Sequence, residues 1–179
     1  MYITKVELIP HPAAGNSAVQ SLAASCRRLS GPGVLLFSYR LEGDLGRLLI
    51  PPPATPARTD GLWRHTCLEA FVQSVGQAGY AEFNFSPATQ WAAYGFEGYR
   101  AGMTGLALAT PPQIAVQAGP NVLTLTARIV LPGQNAAPLR VGLTAVIEDR
   151  HEQSSWWALR HAGDRPDFHL APSFILEIP

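Results

Sequence analysis

The sequence predicts an all-β protein: an antiparallel β-sandwich with immunoglobulin-like or jelly-roll-like layers and eight or more strands. Sixteen Gly and sixteen Pro are distributed over 179 residues, and they cluster in short groups between apolar runs. Short groups of turn-forming residues between apolar runs are typical of a β-sheet protein. The segments between the groups alternate apolar and polar residues, and long helical patterns are absent. Because the length is ordinary for one domain with its own core, residues 1–179 are expected to form a single domain.

The alternating segments are each predicted to be a strand. In chain order they are Val34–Leu41, Leu68–Val72, Tyr80–Ser86, Gln113–Gln117, Val122–Leu131, Leu139–Glu148, Ser154–Arg160 and Phe174–Ile178. The opening residues, MYITKVELIPHP, indicate one more short strand. Ala18–Leu29 fits a helix by propensity and a strand by partial alternation, and we expect a strand. The Pro-rich stretch PPPATPARTD is predicted to be a loop, because strand patterning resumes on both sides of it.

Charge and cysteine content exclude several classes of function. Thirteen basic side chains balance thirteen acidic ones, so the chain offers no basic field for nucleic acid. No apolar run is long enough to span a bilayer, and the opening residues do not form a secretion signal, so we expect a cytoplasmic protein with no membrane partner. Cys26 and Cys67 follow no CxxC or CxxCH spacing, and we expect two buried thiols.

The polar faces of the predicted strands are unusual in composition. In Val122–Leu131 the leucines and Ile129 form one face, while Thr124, Thr126 and Arg128 form the other. Lysine is nearly absent from such positions, and short hydrogen-bonding groups occupy them. A face of this kind can meet solvent, or it can line a polar, partly covered cavity with Trp and Tyr side chains at its rim.

Two segments resemble a known family. DGLWRHTCLEAFVQ (Asp60–Gln73) and the following YAEFNFSPATQWAAYGF are similar to DOMON-like domains and the related family 9 carbohydrate-binding modules. In these, a Leu-Trp segment leads to a Glu on the next strand and to a Tyr-x-Glu-x-x-x-Ser-Pro hairpin. WWALRHAGDRPDFHLAPSFILEI (Trp156–Ile178) resembles the closing half of bacterial DOMON-like domains. The resemblance implies a β-sandwich that binds a ligand, with sugars and haem as the ligands known in the family.

A saccharide or similar small polar ligand is therefore the expected partner, bound without catalysis. Sugars need flat aromatic faces for stacking and acids, amides or guanidinium groups for their hydroxyls. The candidate ligand-binding residues are Trp63, Glu69, Glu82, Asn84, Trp91, Arg128, Trp156, Arg160, His161 and His169. One departure from family 9 is visible: an acidic residue commonly follows the Leu-Trp segment there, whereas Arg64, His65 and Thr66 follow it here.

Three alternatives remain open at this point. We expect no cofactor, but a b-type haem would need axial ligands, and Met103 with His161 or His169 is the pair that the sequence offers. His161, Asp167 and His169 have the ligand types and proximity for a metal site in a hydrolase. Glu69 and Glu82 could instead act as a carboxylate pair on a glycoside.

Overall fold

The computed structural model describes residues 5–14, 18–133 and 137–179, and these residues form two antiparallel sheets packed as a sandwich. They include short 3-10 turns but no α-helix. The predicted fold class is confirmed. Within the described residues, no helix is long and apolar enough to cross a membrane.

Thirteen strands are found in the described residues. They are β1 (Val6–Glu7), β2 (Ile9–Pro10), β3 (Val19–Arg28), β4 (Val34–Gly43), β5 (Cys67–Ser74), β6 (Tyr80–Phe85), β7 (Trp91–Phe96), β8 (Thr104–Gly105), β9 (Gln113–Ala118), β10 (Val122–Val130), β11 (Leu139–Glu148), β12 (Ser154–Ala158) and β13 (Leu176–Ile178). The 3-10 turns span Leu45–Arg47, Leu62–Arg64 and Ala171–Ser173.

The ambiguous segment Ala18–Leu29 is strand β3, as expected, and strand β7 was not predicted. The predicted strand Ser154–Arg160 is shorter, because its pairing with β11 ends at Ala158. The predicted strand Phe174–Ile178 keeps only β13, since a 3-10 turn containing Pro172 precedes it and turns Phe174 inward. Residues 1–4 of the predicted opening strand lie outside the described residues.

The first sheet has the strand order β1-β3-β4-β10-β9. Strands β4 and β10 pair from Val34 opposite Val130 to Glu42 opposite Val122. Burial alternates strictly along β10, so its leucines face the core and Thr124, Thr126 and Arg128 face outward. This outer face is therefore only half buried.

The second sheet has the order β2-β12-β11-β5-β6-β7-β8, and β13 pairs with another part of β11. Its central strands β5, β6, β7 and β11 are buried on almost every residue of both faces. The inner face packs on the first sheet, for example where Phe37 contacts Phe83 and Phe85 at centroid distances of 6.5 and 5.8 Å.

The outer face of the second sheet is covered by the chain that follows β12. Phe168 and Phe174 from this segment form a second apolar cluster with Phe71, Tyr80 and Phe96 of the sheet. A sheet with both faces buried can hold polar groups away from water, and the outer cluster surrounds the site described next.

Candidate functional site

A cavity of about 340 Å³ lies on the outer face of the second sheet. Strands β5, β6, β7 and β11 supply its floor, and the segments after β7 and β12 supply walls. The lining residues are Trp63, Glu69, Phe71, Glu82, Tyr94, Phe96, Arg100, Met103, Val146, Trp156, Pro166, Phe168 and His169. The volume lies within the range of small-molecule sites.

A row of hydrogen-bonding side chains crosses the floor of this cavity. The Thr144 hydroxyl donates to Glu69 Oε2 at 3.2 Å, and Asn84 Nδ2 donates to Glu82 Oε1 at 2.8 Å. Strand register explains the row, because Glu69 on β5 lies opposite Thr144 on β11 and opposite Asn84 on β6. Strand alternation places all four residues on the outer face.

Two buried oxygen atoms of the row, Glu69 Oε1 and Asn84 Oδ1, have no hydrogen-bond partner among the described residues. Opposite residues on one face of an antiparallel pair have Cβ atoms about 4.5–5.5 Å apart. A proton on Glu69 Oε1 that is donated to Asn84 Oδ1 would therefore satisfy both atoms. Burial, and next the charge of Glu82, raise the pKa of Glu69 well above its usual value. We assign Glu69 as a neutral carboxylic acid.

The row then has one direction of donation, from Thr144 through Glu69 and Asn84 to Glu82. Glu82 is only 5% exposed, and burial raises its pKa against the lowering effects of Asn84 and Arg100. In the part of the chain that the structure describes, no hydrogen bond reaches Glu82 Oε2. His169 Nε2 lies 3.7 Å from this oxygen, which is too far for one. The row ends in a free acceptor at the cavity wall.

His169 stands over Glu82 on the segment after β12. Its Nδ1 lies 2.8 Å from the Tyr80 hydroxyl, and that hydroxyl oxygen accepts the Arg100 backbone N–H at 3.2 Å. Burial, and next the charge of Arg100, lower the pKa of His169 to about 4, so the ring is neutral at pH 7. Because Tyr80 is left to donate to Nδ1, we assign the ring proton to Nε2, which faces Glu82.

Asp167 holds in place the segment that carries His169. Its carboxylate accepts hydrogen bonds from the Tyr99 hydroxyl at 2.6 Å, from Arg100 Nη2 at 2.9 Å and from the His169 backbone N–H at 3.0 Å. The guanidinium of Arg100 is thus already paired with a carboxylate. These contacts join the segment after β7 to the segment after β12.

Aromatic rings form the rest of the enclosure. Phe71 stacks on Phe174 with a centroid distance of 5.6 Å, and it meets the edge of the His169 ring at 5.1 Å. Trp156, on the outer face of β12, is partly buried, and Trp63 exposes 49% of its surface at the rim. The two tryptophans therefore offer ring surface to a ligand, whereas the phenylalanines position the wall.

The structure brings together part of the predicted set of site residues. Trp63, Glu69, Glu82, Trp156 and His169 line the cavity, and Asn84 lies beneath it in the row. Arg128 lies on the other sheet, because β10 belongs to the first sheet.

Three more residues of the predicted set lie away from the cavity. Trp91 belongs to the core between the sheets. Arg160 is exposed, and His161 contacts Ile9 O through Nε2 at 2.9 Å and packs on His11.

Arg100 and Phe168 also line the cavity, although no pattern in the sequence singled them out. Arg100 lies in a turn with φ of 51°, and Phe168 lies in a loop. Neither segment has a periodic pattern, so only the tertiary contacts show their place.

The donor set does not fit a haem. Met103 and His169, one pair that the sequence offered, do line the same cavity. However, Met103 is 61% exposed, and the Nε2 atom of His169 faces Glu82 Oε2 at 3.7 Å. An iron atom would need the Nε2 atom of His169 free to bind it, and the carboxyl group of Glu82 faces that atom instead.

The hydrolase alternatives also lack a suitable arrangement. Among the described residues, no three His, Cys, Asp or Glu side chains are grouped to hold a metal ion. His161 bonds to Ile9, whereas Asp167 is held by Tyr99 and Arg100. Glu69 and Glu82 do share the cavity floor, but Glu69 is only 2% exposed.

A second cavity, of about 400 Å³, lies beside Glu148 and His65. The Glu148 carboxylate is already paired with His65 Nδ1 at 2.9 Å. The first cavity, with its free acceptor and aromatic walls, is the stronger candidate for a ligand.

The fold and the first cavity together define a class: two-sheet β-sandwiches with a ligand-sized cavity on the outer face of one sheet. No protein-family model matches the sequence, and no curated protein matches it. Solved structures do match. A candidate carbohydrate-binding protein from Bacteroides uniformis ATCC 8492 superposes with a TM-score of 0.75 at 12% identity, covering 99% of this chain and 87% of that one.

Two further matches are structures of a family 9 carbohydrate-binding module from Caldicellulosiruptor kristjanssonii. The complex with cellotriose gives a TM-score of 0.56 at 11% identity, covering 98% of this chain and 81% of that one. The complex with glucose gives 0.51 at 13% identity, covering 97% and 83%. The likeness to family 9 modules that the sequence indicated is thus confirmed as a likeness of fold.

We expect His169 to make stability depend on pH. Because its folded pKa is depressed from 6.5 to about 4, neutral His169 contributes stability that is present above pH 6.5 and is lost as pH falls towards 4. The advantage of the wild type over His169→Gln in free energy of unfolding should therefore shrink through this window. Urea denaturation at several pH values measures it, with exposed His151→Gln as control. A constant difference would contradict the assignment of a buried neutral ring.

Proposed function

We propose that this chain is a non-catalytic binding module for a small saccharide or a similar polar ligand. The observation that carries the proposal is the cavity itself, in which exposed tryptophan surface stands beside buried hydrogen-bonding groups. Sugars present both apolar C–H faces and hydroxyl groups, and a site for them needs both kinds of surface.

Specific groups could serve the two surfaces of a sugar. Trp63 and Trp156 offer ring planes, while Glu82 Oε2 can accept and His169 Nε2 can donate a hydrogen bond. The volume of about 340 Å³ suits one or two sugar rings better than a long chain enclosed along its length. The similar fold of modules solved with glucose and cellotriose supports the same ligand class.

The position of the carboxyl groups supports binding without catalysis. A glycoside hydrolase places its two carboxyl groups on either side of the scissile bond. Here Glu69 and Glu82 project from the same face of one sheet, and Glu69 is buried and hydrogen-bonded to Thr144. A substrate would reach only one of them.

Isothermal titration calorimetry with glucose, galactose, cellobiose and cellotriose tests the proposal. We expect at least one sugar to bind, and Trp63→Ala and Trp156→Ala each to weaken it about tenfold, because a lost stacking plane removes roughly 1.4 kcal/mol. Val75→Ala is the control, since Val75 is exposed but lies outside the cavity. Absence of binding by any sugar, or equal binding by the Trp variants, would refute the proposal.

A further inference from the structure

The row of hydrogen-bonding side chains on the cavity floor ends at Glu82. This end indicates which chemical group a ligand must present to the protein. Thr144 donates to Glu69 and Asn84 donates to Glu82 Oε1, and a neutral Glu69 can donate to Asn84, so an ionised Glu82 offers only an acceptor at Oε2. A ligand that reaches this oxygen must present a donor. Glu82 is 5% exposed, and a buried carboxylate without a compensating charge is costly.

No Lys or Arg nitrogen of the described residues forms an ion pair with the Glu82 carboxylate. Arg100 is paired with Asp167 at 2.9 Å, and the ring of His169 is neutral. Charged or titratable groups around Glu82 are Arg64 beside Trp63, Asp60 bound to Tyr94, Glu69 on β5, Tyr80 on β6, Tyr94 on β7, Arg100 in the turn after β7, and Asp167 and His169 after β12. The charge of Arg100 lowers the pKa of Glu82, but its guanidinium is hydrogen-bonded to Asp167 and forms no ion pair with Oε2, so this oxygen remains open to a cationic donor.

The aromatic side chains of the cavity walls also favour a cationic ligand. Trp63, Trp156, Tyr94 and Phe168 line the same cavity as Glu82. Faces of aromatic rings attract cations, and aromatic side chains beside a carboxyl group are a known arrangement for recognising ammonium groups. A hydroxyl group could also donate to Glu82, but it would leave the charge uncompensated.

We propose that the ligand is an amino sugar whose ammonium group binds Glu82 Oε2, while its ring lies against the tryptophans. This proposal rests on the proposed saccharide function and names the class of saccharide. Binding involves no covalent step. The ammonium group places a positive charge in hydrogen-bond contact with Glu82 Oε2, where no Lys or Arg side chain of the described residues forms an ion pair, and His169 Nε2 is left to donate to a neighbouring hydroxyl.

Calorimetry at about pH 6, where the amine is protonated, tests this with glucosamine, glucose, N-acetylglucosamine and methylammonium chloride. We expect glucosamine to bind at least tenfold tighter than glucose, as a charge-assisted hydrogen bond adds roughly that factor. N-acetylglucosamine keeps the hydroxyls but has no charge, so it should bind no tighter than glucose. Methylammonium has the charge without the sugar ring and should bind far more weakly than glucosamine.

Glu82→Gln is the decisive variant, because the amide keeps an acceptor for Asn84 and removes the charge. It should lose the preference for glucosamine over glucose, so that the ratio of the two dissociation constants falls to about one. Glu177→Gln, at an exposed position on β13, should keep the preference. A cooperative urea unfolding transition shows that the Glu82 variant is folded.

The outcomes separate the two proposals. Equal binding of glucose and glucosamine by the wild type overturns the amino-sugar proposal and leaves the saccharide function standing. Methylammonium binding as tight as glucosamine also overturns it, because the ring would then contribute nothing. If no sugar binds at all, the saccharide function fails and the amino-sugar proposal fails with it.

Discussion

Replacing Phe174 with alanine is expected to lower the free energy of unfolding by about 3–5 kcal/mol, the usual cost of deleting a buried phenylalanine ring. Phe174 is fully buried, stacks on Phe71 and meets Tyr80 at a centroid distance of 5.6 Å. Because these two rings also contact His169, the cavity wall should loosen together with the cluster.

Urea denaturation followed by tryptophan fluorescence measures the loss. The neighbouring residue provides the control: Ile175 is exposed, so Ile175→Ala should change stability by less than about 0.5 kcal/mol. A loss below about 1 kcal/mol for Phe174→Ala would mean that the outer cluster contributes little to folding.

The same cluster explains a glycine on β11. A Cβ atom at Gly142 would lie 2.7 Å from Phe174 Cδ1 and 3.2 Å from Cε1. The bare backbone at this position lets the Phe174 ring lie directly on the sheet. The stacked arrangement of Phe71 and Phe174 therefore depends on a residue without a side chain.

Replacing Glu69 with glutamine is expected to stabilise the protein at neutral and alkaline pH. The folded pKa of Glu69 is raised by burial above its usual value of 4.5, so the native state holds a proton that the unfolded state releases. The stability contributed by the protonated group is full below pH 4.5 and is lost as pH rises towards the folded pKa. Each unit of raised pKa costs about 1.4 kcal/mol at high pH, and the uncharged amide avoids this cost.

The glutamine amide can also replace the hydrogen bonds of the neutral acid. Its oxygen can accept from Thr144, and its NH₂ group can donate to Asn84 Oδ1, which otherwise has no partner in the described residues. The wild type and Glu69→Gln should therefore have equal free energies of unfolding below about pH 4. Above that pH the variant should become the more stable of the two.

Denaturation from about pH 4 to pH 8 measures this difference. His169 titrates in both proteins, so its contribution cancels when the variant is subtracted from the wild type. Glu177→Gln, at an exposed position on β13, is the control for removing a carboxyl group from the surface. A Glu69→Gln variant that is less stable than the wild type at pH 8 would show that Glu69 is a charged structural partner.

Sequence patterns anticipated the strands because alternation reports local burial. The leucines of β10 and the phenylalanines of β6 fall on one face each, and both strands lie where the pattern placed them. The pattern Trp91–Phe96 was available as well, since Ala92, Tyr94 and Phe96 share a face. The Leu-Trp and Tyr-x-Glu segments further indicated the family whose fold the structure matches.

The alternation of apolar and polar residues along a strand does not indicate which of the two sheets the strand joins. Arg128 and Glu82 both occupy polar positions of alternating strands, yet Arg128 faces outward from the first sheet and Glu82 lines the cavity of the second. Likewise, of the adjacent Trp156 and Trp157, the first borders the cavity and the second lies in the core. A local sequence pattern does not show which face of a strand meets the core, a cavity or solvent, because that difference arises only when the sheets pack.

The sequence by itself determined an all-β sandwich, because turn residues and alternation act over a few neighbours along the chain. Only the tertiary structure decided that one sheet has two buried faces, that Glu69, Asn84 and Glu82 form a row, and that Arg100 and His169 stand above it. Those relations join residues far apart in the chain, and they arise from strand register and from loops that cover the sheet. Long-range packing, which no local pattern encodes, therefore made the site.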